Sequence, residues 1–85
     1  MNLLHLNDLR KIKTQLHSEF ADELRMRFRV ILLRDPRSPQ ELGRLIHVSV
    51  RVVNSFIQGL QRTHFKSLCK IEAWIKSEEH RLGIV

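Results

Sequence analysis

Apolar residues recur three or four positions apart along most of this chain, as they do on one side of an amphipathic helix. The first stripe, Leu9, Ile12 and Leu16, predicts a helix that begins at the cap Asn7. Because the stripe is narrow, this helix either docks on the rest of the chain or pairs with the same helix of a second copy.

A second helix is predicted from Ser18, a good N-cap, to Asp35, which precedes Pro36 and is therefore pushed out of the helical conformation. Glu23 and Arg27 add a favourable pair one turn apart. Acidic residues precede basic ones along this segment, an order that complements the dipole of the helix. Its apolar stripe is Phe20, Leu24, Phe28 and either Ile31 or Leu32.

Residues 25–30 and 48–52 also alternate between apolar and polar side chains, as strands do. Two such strands would suit a small α/β fold that binds RNA. Three observations favour helices instead: the Glu23–Arg27 pair, the order of charges along the segment, and the lack of a glycine-rich hairpin or a Gly-x-x-Gly clamp.

Two short helices joined by a tight turn are predicted between Ser38 and Gly59. Ser38 is a cap, Pro39 suits the first helical position, and Glu41 completes a Ser-x-x-Glu capping box. Gly43 leaves room for another backbone segment to approach closely. The inward side chains of this helix are predicted to be Leu42, Leu45 and Ile46.

The predicted turn is His47-Val48-Ser49, with Val48 directed inward and Ser49 capping the second short helix. Gly59 can adopt the left-handed conformation that ends a helix. The inward side of the second helix is Val53, Phe56 and Ile57. The side chains predicted to face outward are Val50, Arg51, Asn54, Ser55 and Gln58.

A last helix is predicted from the cap Thr63 to Leu82, where Gly83 ends it, with Glu72 and Lys76 paired one turn apart. Its apolar stripe is Phe65, Leu68, Ile71 and Ile75. Together these segments predict an all-α fold, a compact bundle of four or five helices. Residues 1–17 form an N-terminal arm for docking or dimerisation, and residues 18–82 form the main domain.

The 85 residues suffice for one small domain, and a net charge of +6 favours an anionic partner. The single Cys69 excludes an internal disulfide, and neither it nor the five histidines has metal-ligand spacing. The chain carries no catalytic motif, membrane span or secretion signal. We expect no enzyme activity, metal, cofactor, small-molecule substrate or membrane, and an intracellular location in the cytoplasm, nucleoid or nucleus.

The segment 38–59 resembles the helix-turn-helix of lambda-repressor-like DNA-binding domains. It shares a small residue inside the first helix, an apolar turn residue, two core positions in the second helix and a terminal glycine. These positions are Gly43, Val48, Val53, Phe56 and Gly59. His47 departs from the pattern, since that family usually has glycine at this left-handed position, but histidine tolerates positive φ better than most residues.

By this resemblance, the outward side of the second short helix reads bases in the major groove. Arg51 suits guanine O6 and N7, Asn54 suits adenine N6 and N7, and Val50 suits a thymine methyl group. Ser55 and Gln58 complete the base-reading set. The residues predicted to contact phosphates at nearby helix N-termini are Arg37, Ser38, Gln40, Arg62, Thr63, His64 and Lys66.

These observations predict a small transcriptional regulator that binds specific double-stranded DNA, alone or as a homodimer. Two alternatives stay open. The first is a protein-interaction module on the same helical fold, whose basic surface binds an acidic partner. The second is a small RNA-binding domain.

Overall fold

The computed structural model of the chain describes residues 6–59 and 62–84, with side chains from residue 16 onward. These residues form four helices and no strand. The helices are α1 (Leu6–Arg34), α2 (Pro39–Ile46), α3 (Val50–Gln58) and α4 (Phe65–Leu82). The all-α prediction is confirmed, and both alternating segments are helical, which removes the α/β RNA-binding fold. No helix in the described ranges is long and apolar enough to cross a membrane.

α1 is one continuous helix of 29 residues, about 43 Å long, where two helices were predicted. The prediction that Ser18 begins a second helix is wrong, since Ser18 lies inside α1 with its side chain exposed. An exposed serine costs a helix interior only about 0.5 kcal/mol, too little to break it without a nearby glycine or proline. Asn7 also lies inside α1, and the side chains of Leu9 and Ile12 fall outside the described part.

The core lies between α1 and α4 and is closed by α2 and α3. Phe28 is fully buried at the centre of the core. Its ring is edge-on to that of Phe56, with centroids 5.3 Å apart, and its centroid lies 5.4 Å from that of Trp74. Most of the predicted inward residues are confirmed. The buried apolar side chains are Ala21, Leu24, Phe28, Ile31, Leu42, Ile46, Val53, Phe56, Leu68, Ile71 and Ile75.

Two of the predictions of core residues, for Leu45 and Phe65, are wrong. Leu45 is 44% exposed, because Leu42 and Ile46, one turn apart, already fill the contact between the short helix α2 and the core. Phe65 is 58% exposed, because it opens α4 before the buried stripe begins at Leu68. The Phe65 ring still contacts the side of α1, with its centroid 6.5 Å from that of Phe20.

Ion pairs join the far ends of α1 and α4. Arg27 holds the buried carboxylate of Glu79 with two hydrogen bonds, of 2.9 and 2.6 Å, and also lies 3.8 Å from Glu23 as predicted. Arg81 reaches Asp35, just beyond the end of α1, at 2.6 Å and also pairs within α4 with the buried Glu78 at 2.6 Å. Each buried carboxylate is therefore neutralised by an arginine, as burial of a charge requires. The other predicted pair, Glu72 with Lys76, is confirmed at 3.8 Å.

Candidate nucleic-acid interface

α2 and α3 are joined by a tight turn, and the serine cap predicted for each helix is confirmed. Among the described residues, the Glu41 side chain makes no hydrogen bond back to Ser38, so the predicted capping box is only half formed. Ser38 Oγ accepts from the N–H of Glu41, and Ser49 Oγ accepts from the N–H of Val52, both at 3.2 Å. His47 has φ 66° and ψ 45°, the left-handed conformation expected of it. These contacts end α2 and start α3 within three residues.

Close contact between α2 and the turn depends on Gly43. The N–H of Val48 donates to the Gly43 carbonyl at 3.1 Å, and a Cβ at Gly43 would lie only 2.9 Å from the Val48 oxygen. Lys70 of α4 donates from Nζ to the His47 carbonyl at 3.1 Å. The turn is thus fixed to both α2 and α4, and it sets the direction in which α3 leaves.

Two arginines of α1 hold the other end of α3. Arg25 Nε donates to the Phe56 carbonyl at 2.6 Å, and its guanidinium lies 5.3 Å from the centroid of the Phe56 ring. Arg29 donates to the Ile57 carbonyl at 3.3 Å. Because the last carbonyls of a helix lack intrahelical partners, these cations satisfy the C-terminal end of α3. Sequence reasoning had assigned them to the dipole of their own helix and missed this role.

The outward side of α3 carries three exposed polar residues, Arg51, Asn54 and Gln58. In the part of the chain that the structure describes, no hydrogen bond or ion pair holds their side chains. The other two predicted base-reading residues, Val50 and Ser55, are half-buried. This side of α3 therefore offers one guanidinium and two amides that are free to bind an external group.

A cleft of about 200 Å³ lies between α3 and the start of α4. It brings predicted base-reading residues of α3 together with predicted phosphate-contacting residues at the start of α4. Ser67, in the first turn of α4, also lines the cleft and was not predicted, because a serine after a helix start carries no distinctive signal. The lining residues are Arg51, Val52, Ser55, Arg62, Thr63, His64 and Ser67.

The prediction that Thr63 caps α4 is wrong. His64 occupies the cap position and makes no side-chain cap hydrogen bond, whereas Thr63 is only 6% exposed. The Thr63 carbonyl is 2.9 Å from Nε2 of His17 on α1, which positions Thr63 against α1, and within the described ranges its hydroxyl has no partner. Among the described residues, no side chain caps the first N–H groups of α4, and Arg62 and His64 beside them are exposed.

The remaining phosphate-contacting candidates lie elsewhere. Arg37 pairs with Asp35 at 3.1 Å and with Glu78 at 3.4 Å, and its side chain is 24% exposed. Hydrogen bonds from Arg37 and then Arg81 hold the pKa of Asp35 below its ordinary value. Ser38, Gln40 and Lys66 are exposed but do not line the cleft. Arg37 is therefore already committed to an ion-pair network inside the chain.

A second groove of about 340 Å³, lined mainly by apolar residue types, runs between α2 and α4. The exposed Leu45 forms one wall, Trp74 and Ala73 form the other, and His47 and Lys70 lie at the rim. Its composition differs from that of the basic cleft, which lies at the start of α4.

No family model, curated protein or solved structure matches the chain. Resemblance to lambda-repressor-like domains therefore depends on the residues of segment 38–59 alone. Within the described ranges, no group of three or more His, Cys, Asp and Glu side chains is arranged to hold a metal ion.

Proposed function

We propose that this protein binds specific double-stranded DNA with a helix-turn-helix formed by α2 and α3, and acts as a small transcriptional regulator. One observation carries the proposal. Arg51, on the free polar side of α3, lines the same cleft as Arg62 and His64 at the basic and uncapped start of α4. A base-reading helix beside a phosphate-binding helix start is the combination that groove recognition needs.

In this arrangement α3 enters the major groove, which admits one helix. Arg51 and Asn54 can each make two hydrogen bonds to a purine, Arg51 to guanine and Asn54 to adenine. Arg62, His64 and the N–H groups at the start of α4 face a phosphate on the border of the groove. Arg25, Arg29 and the turn at His47 hold α3 in place from its two ends.

Titration of a duplex at several salt concentrations tests general binding. Each phosphate that the protein neutralises contributes a slope of about −0.9 to the logarithm of the binding constant against the logarithm of salt. Replacing Arg62 with alanine should weaken binding to all sequences and reduce the slope by about one. Lys76→Ala is the matched control, because Lys76 lies on the opposite side of α4 and pairs with Glu72. No binding at low salt, or a slope near zero, refutes the proposal.

Sequence reading is tested separately by selection from a random duplex library. The double variant Arg51→Ala/Asn54→Ala should keep its helical content and its non-specific affinity but lose the selected sequence, at a cost of about 1–3 kcal/mol for each base pair concerned.

The apolar groove beside Leu45 favours a second candidate, a protein-interaction module. A module of that kind would be unaffected by the Arg51→Ala/Asn54→Ala variant and would be impaired by Leu45→Lys. The two substitutions therefore discriminate between the candidates in one set of binding measurements.

A further inference from the structure

The groove between α2 and α4 has walls that are held in place by the fold. Trp74 packs on the core, with its ring centroid 5.4 Å from that of Phe28, and Ile46 is buried. Lys70 Nζ donates to the His47 carbonyl at 3.1 Å and so ties α4 to the end of α2. A partner therefore meets a surface whose shape is already set, which lowers the cost of binding.

Two large apolar side chains of this groove are only partly used by the core. Leu45 is 44% exposed and Trp74 is half-buried, and they lie on opposite walls. Ala73, beside Trp74, is exposed and small, so it leaves the space between the walls open. The α4 wall extends for about one helical turn, from Lys70 to Trp74, which limits a partner to a short apolar contact.

The charge on the α4 wall is basic. No acidic residue lines the groove, whereas Lys70 and His47 lie at its rim. The carboxylates of α4 are already paired. Glu78 and Glu79 are buried against arginines, and Glu72 lies 3.8 Å from a lysine one turn away. The exposed charged and histidine residues of α4 are Lys66, Lys70, Lys76, His80 and Arg81.

The α2 wall is close to neutral. Its exposed charged residues are Glu41 and Arg44, and neither lines the groove. Positive charge is therefore concentrated on the α4 wall. A partner with acidic residues beside its apolar contact matches this distribution. A basic partner does not, and that includes a second copy of this chain, whose net charge is +6.

We propose that the groove binds an acidic amphipathic helix of another protein. An apolar residue of that helix enters between Leu45 and Trp74, and its carboxylates face Lys70. The described residues contain no strand, so a partner cannot bind here by extending a sheet, and a helix laid into a groove is the mode that this surface suits. The inference names the partner of the second candidate function. It does not rest on DNA binding, since the groove and the basic cleft share no lining residue.

Selection from a displayed library of short helical peptides, without DNA, tests the chemistry of the partner. The enriched peptides should carry Asp or Glu beside a large apolar residue. Their binding should change the fluorescence of Trp74, the single tryptophan of the chain. Enrichment of no peptide, or of neutral and basic peptides only, overturns the inference.

The apolar part of the contact is tested with an enriched acidic peptide. Leu45→Gln should weaken its binding about tenfold, because an apolar side chain no longer covers the peptide. Leu33→Gln makes the same change at an exposed leucine of α1 and is the matched control, with unchanged affinity expected. Equal loss in both variants, or in neither, would place the peptide elsewhere and overturn the inference.

The electrostatic part is tested at Ala73, an exposed position of α4 that lines the groove. Ala73→Glu adds a negative charge and Ala73→Lys a positive one, and both should keep the circular dichroism of the unchanged protein. At low salt the peptide should bind the glutamate variant about tenfold more weakly than the lysine variant, and added salt should reduce the difference. Equal affinity for the two variants would exclude an acidic partner.

Sedimentation equilibrium without peptide tests the other occupant, a second copy of the chain. A dimer that Leu45→Gln dissociates would show that the groove binds this chain itself and would overturn the inference. Arg51→Ala/Asn54→Ala should bind the peptide as the unchanged protein does. Duplex binding is measured separately, so a protein that binds the peptide and no duplex refutes DNA binding alone, and the reverse result refutes the groove alone.

Discussion

Replacing Gly43 with alanine tests the close contact on which the turn between α2 and α3 depends. The added Cβ would lie 2.9 Å from the Val48 carbonyl oxygen and 3.6 Å from the nitrogen of Val50. The first distance is about 0.5 Å shorter than an ordinary contact. Since the opposing atom is backbone and belongs to a turn fixed by Lys70, it cannot rotate away as a side chain would.

Two effects of opposite sign determine the magnitude. Alanine is favoured over glycine inside a helix by about 1 kcal/mol. Overpacking of a well-packed contact costs about 1–3 kcal/mol, and a backbone contact belongs in the upper half of that range. The net loss in the free energy of unfolding is therefore about 1–2 kcal/mol. In a domain of this size each kcal/mol lowers the Tm by about 4–8 °C.

Thermal and urea denaturation followed by circular dichroism measure this change. Ala73→Gly, at an exposed position of α4, is the control that reports the helix-propensity effect in this protein. It should lower stability by about 1 kcal/mol with no steric contribution. The reasoning is refuted if Gly43→Ala raises stability by the amount that Ala73→Gly lowers it, since propensity would then be the whole effect.

Three further predictions concern two contacts between helices and the strained residue of the turn. Glu79→Gln should lower the free energy of unfolding by about 1.5–3 kcal/mol and reduce its pH dependence. The hydrogen bonds from Arg27 hold the pKa of Glu79 below its ordinary value. This stabilisation is therefore present near neutral pH and is lost as the pH falls below about 4. Equal acid sensitivity of the variant and the unchanged protein would contradict this. Arg25→Met keeps the aliphatic stem but not the hydrogen bond to the Phe56 carbonyl. It should lower the free energy of unfolding by about 1–2 kcal/mol and speed amide hydrogen exchange at the end of α3. Unchanged exchange would exclude a role of Arg25 in holding that end. His47→Gly should raise stability by about 0.5 kcal/mol, because relief of the left-handed strain slightly exceeds the entropy cost of glycine, and a fall in Tm would contradict this.

The features that the sequence could predict are those that depend on neighbours within four residues. Ser38 and Ser49 cap their helices through a backbone N–H three positions later, and Gly59 ends α3 in the conformation that glycine favours. The same is true of the turn at His47. Caps and turns of this kind depend on residues that are close in the sequence, so most of the α2–α3 unit was predicted.

The errors arose where a distant segment decides the structure. Thr63 carries a good cap signal but does not cap α4, and His17 on α1 contacts the Thr63 carbonyl at 2.9 Å. That contact joins residues 46 positions apart. It positions Thr63 against α1, and His64 is left at the start of α4.

The arginines of α1 show the same limit. Their order along the helix indicated a favourable interaction with its own dipole, but the structure directs them to other helices. Arg25 and Arg29 meet carbonyls at the end of α3, Arg27 meets Glu79, and Arg34 donates to the Leu82 carbonyl at 3.4 Å. The carbonyl or carboxylate that each arginine reaches depends on how the helices pack. The spacing of residues along the sequence does not give that packing.

These contacts give α1 a part in any reading of DNA by α3, although α1 does not enter the groove in the proposed complex. The start of α3 is fixed by the turn, and among the described residues Arg25 and Arg29 hold the carbonyls at its end. Base-specific hydrogen bonds need side chains in a defined orientation, whereas phosphate contacts tolerate small displacements. Loss of Arg25 should therefore reduce the preference for the selected sequence more than it reduces non-specific affinity. If both fell equally, α3 would be held in place by the core and the turn alone.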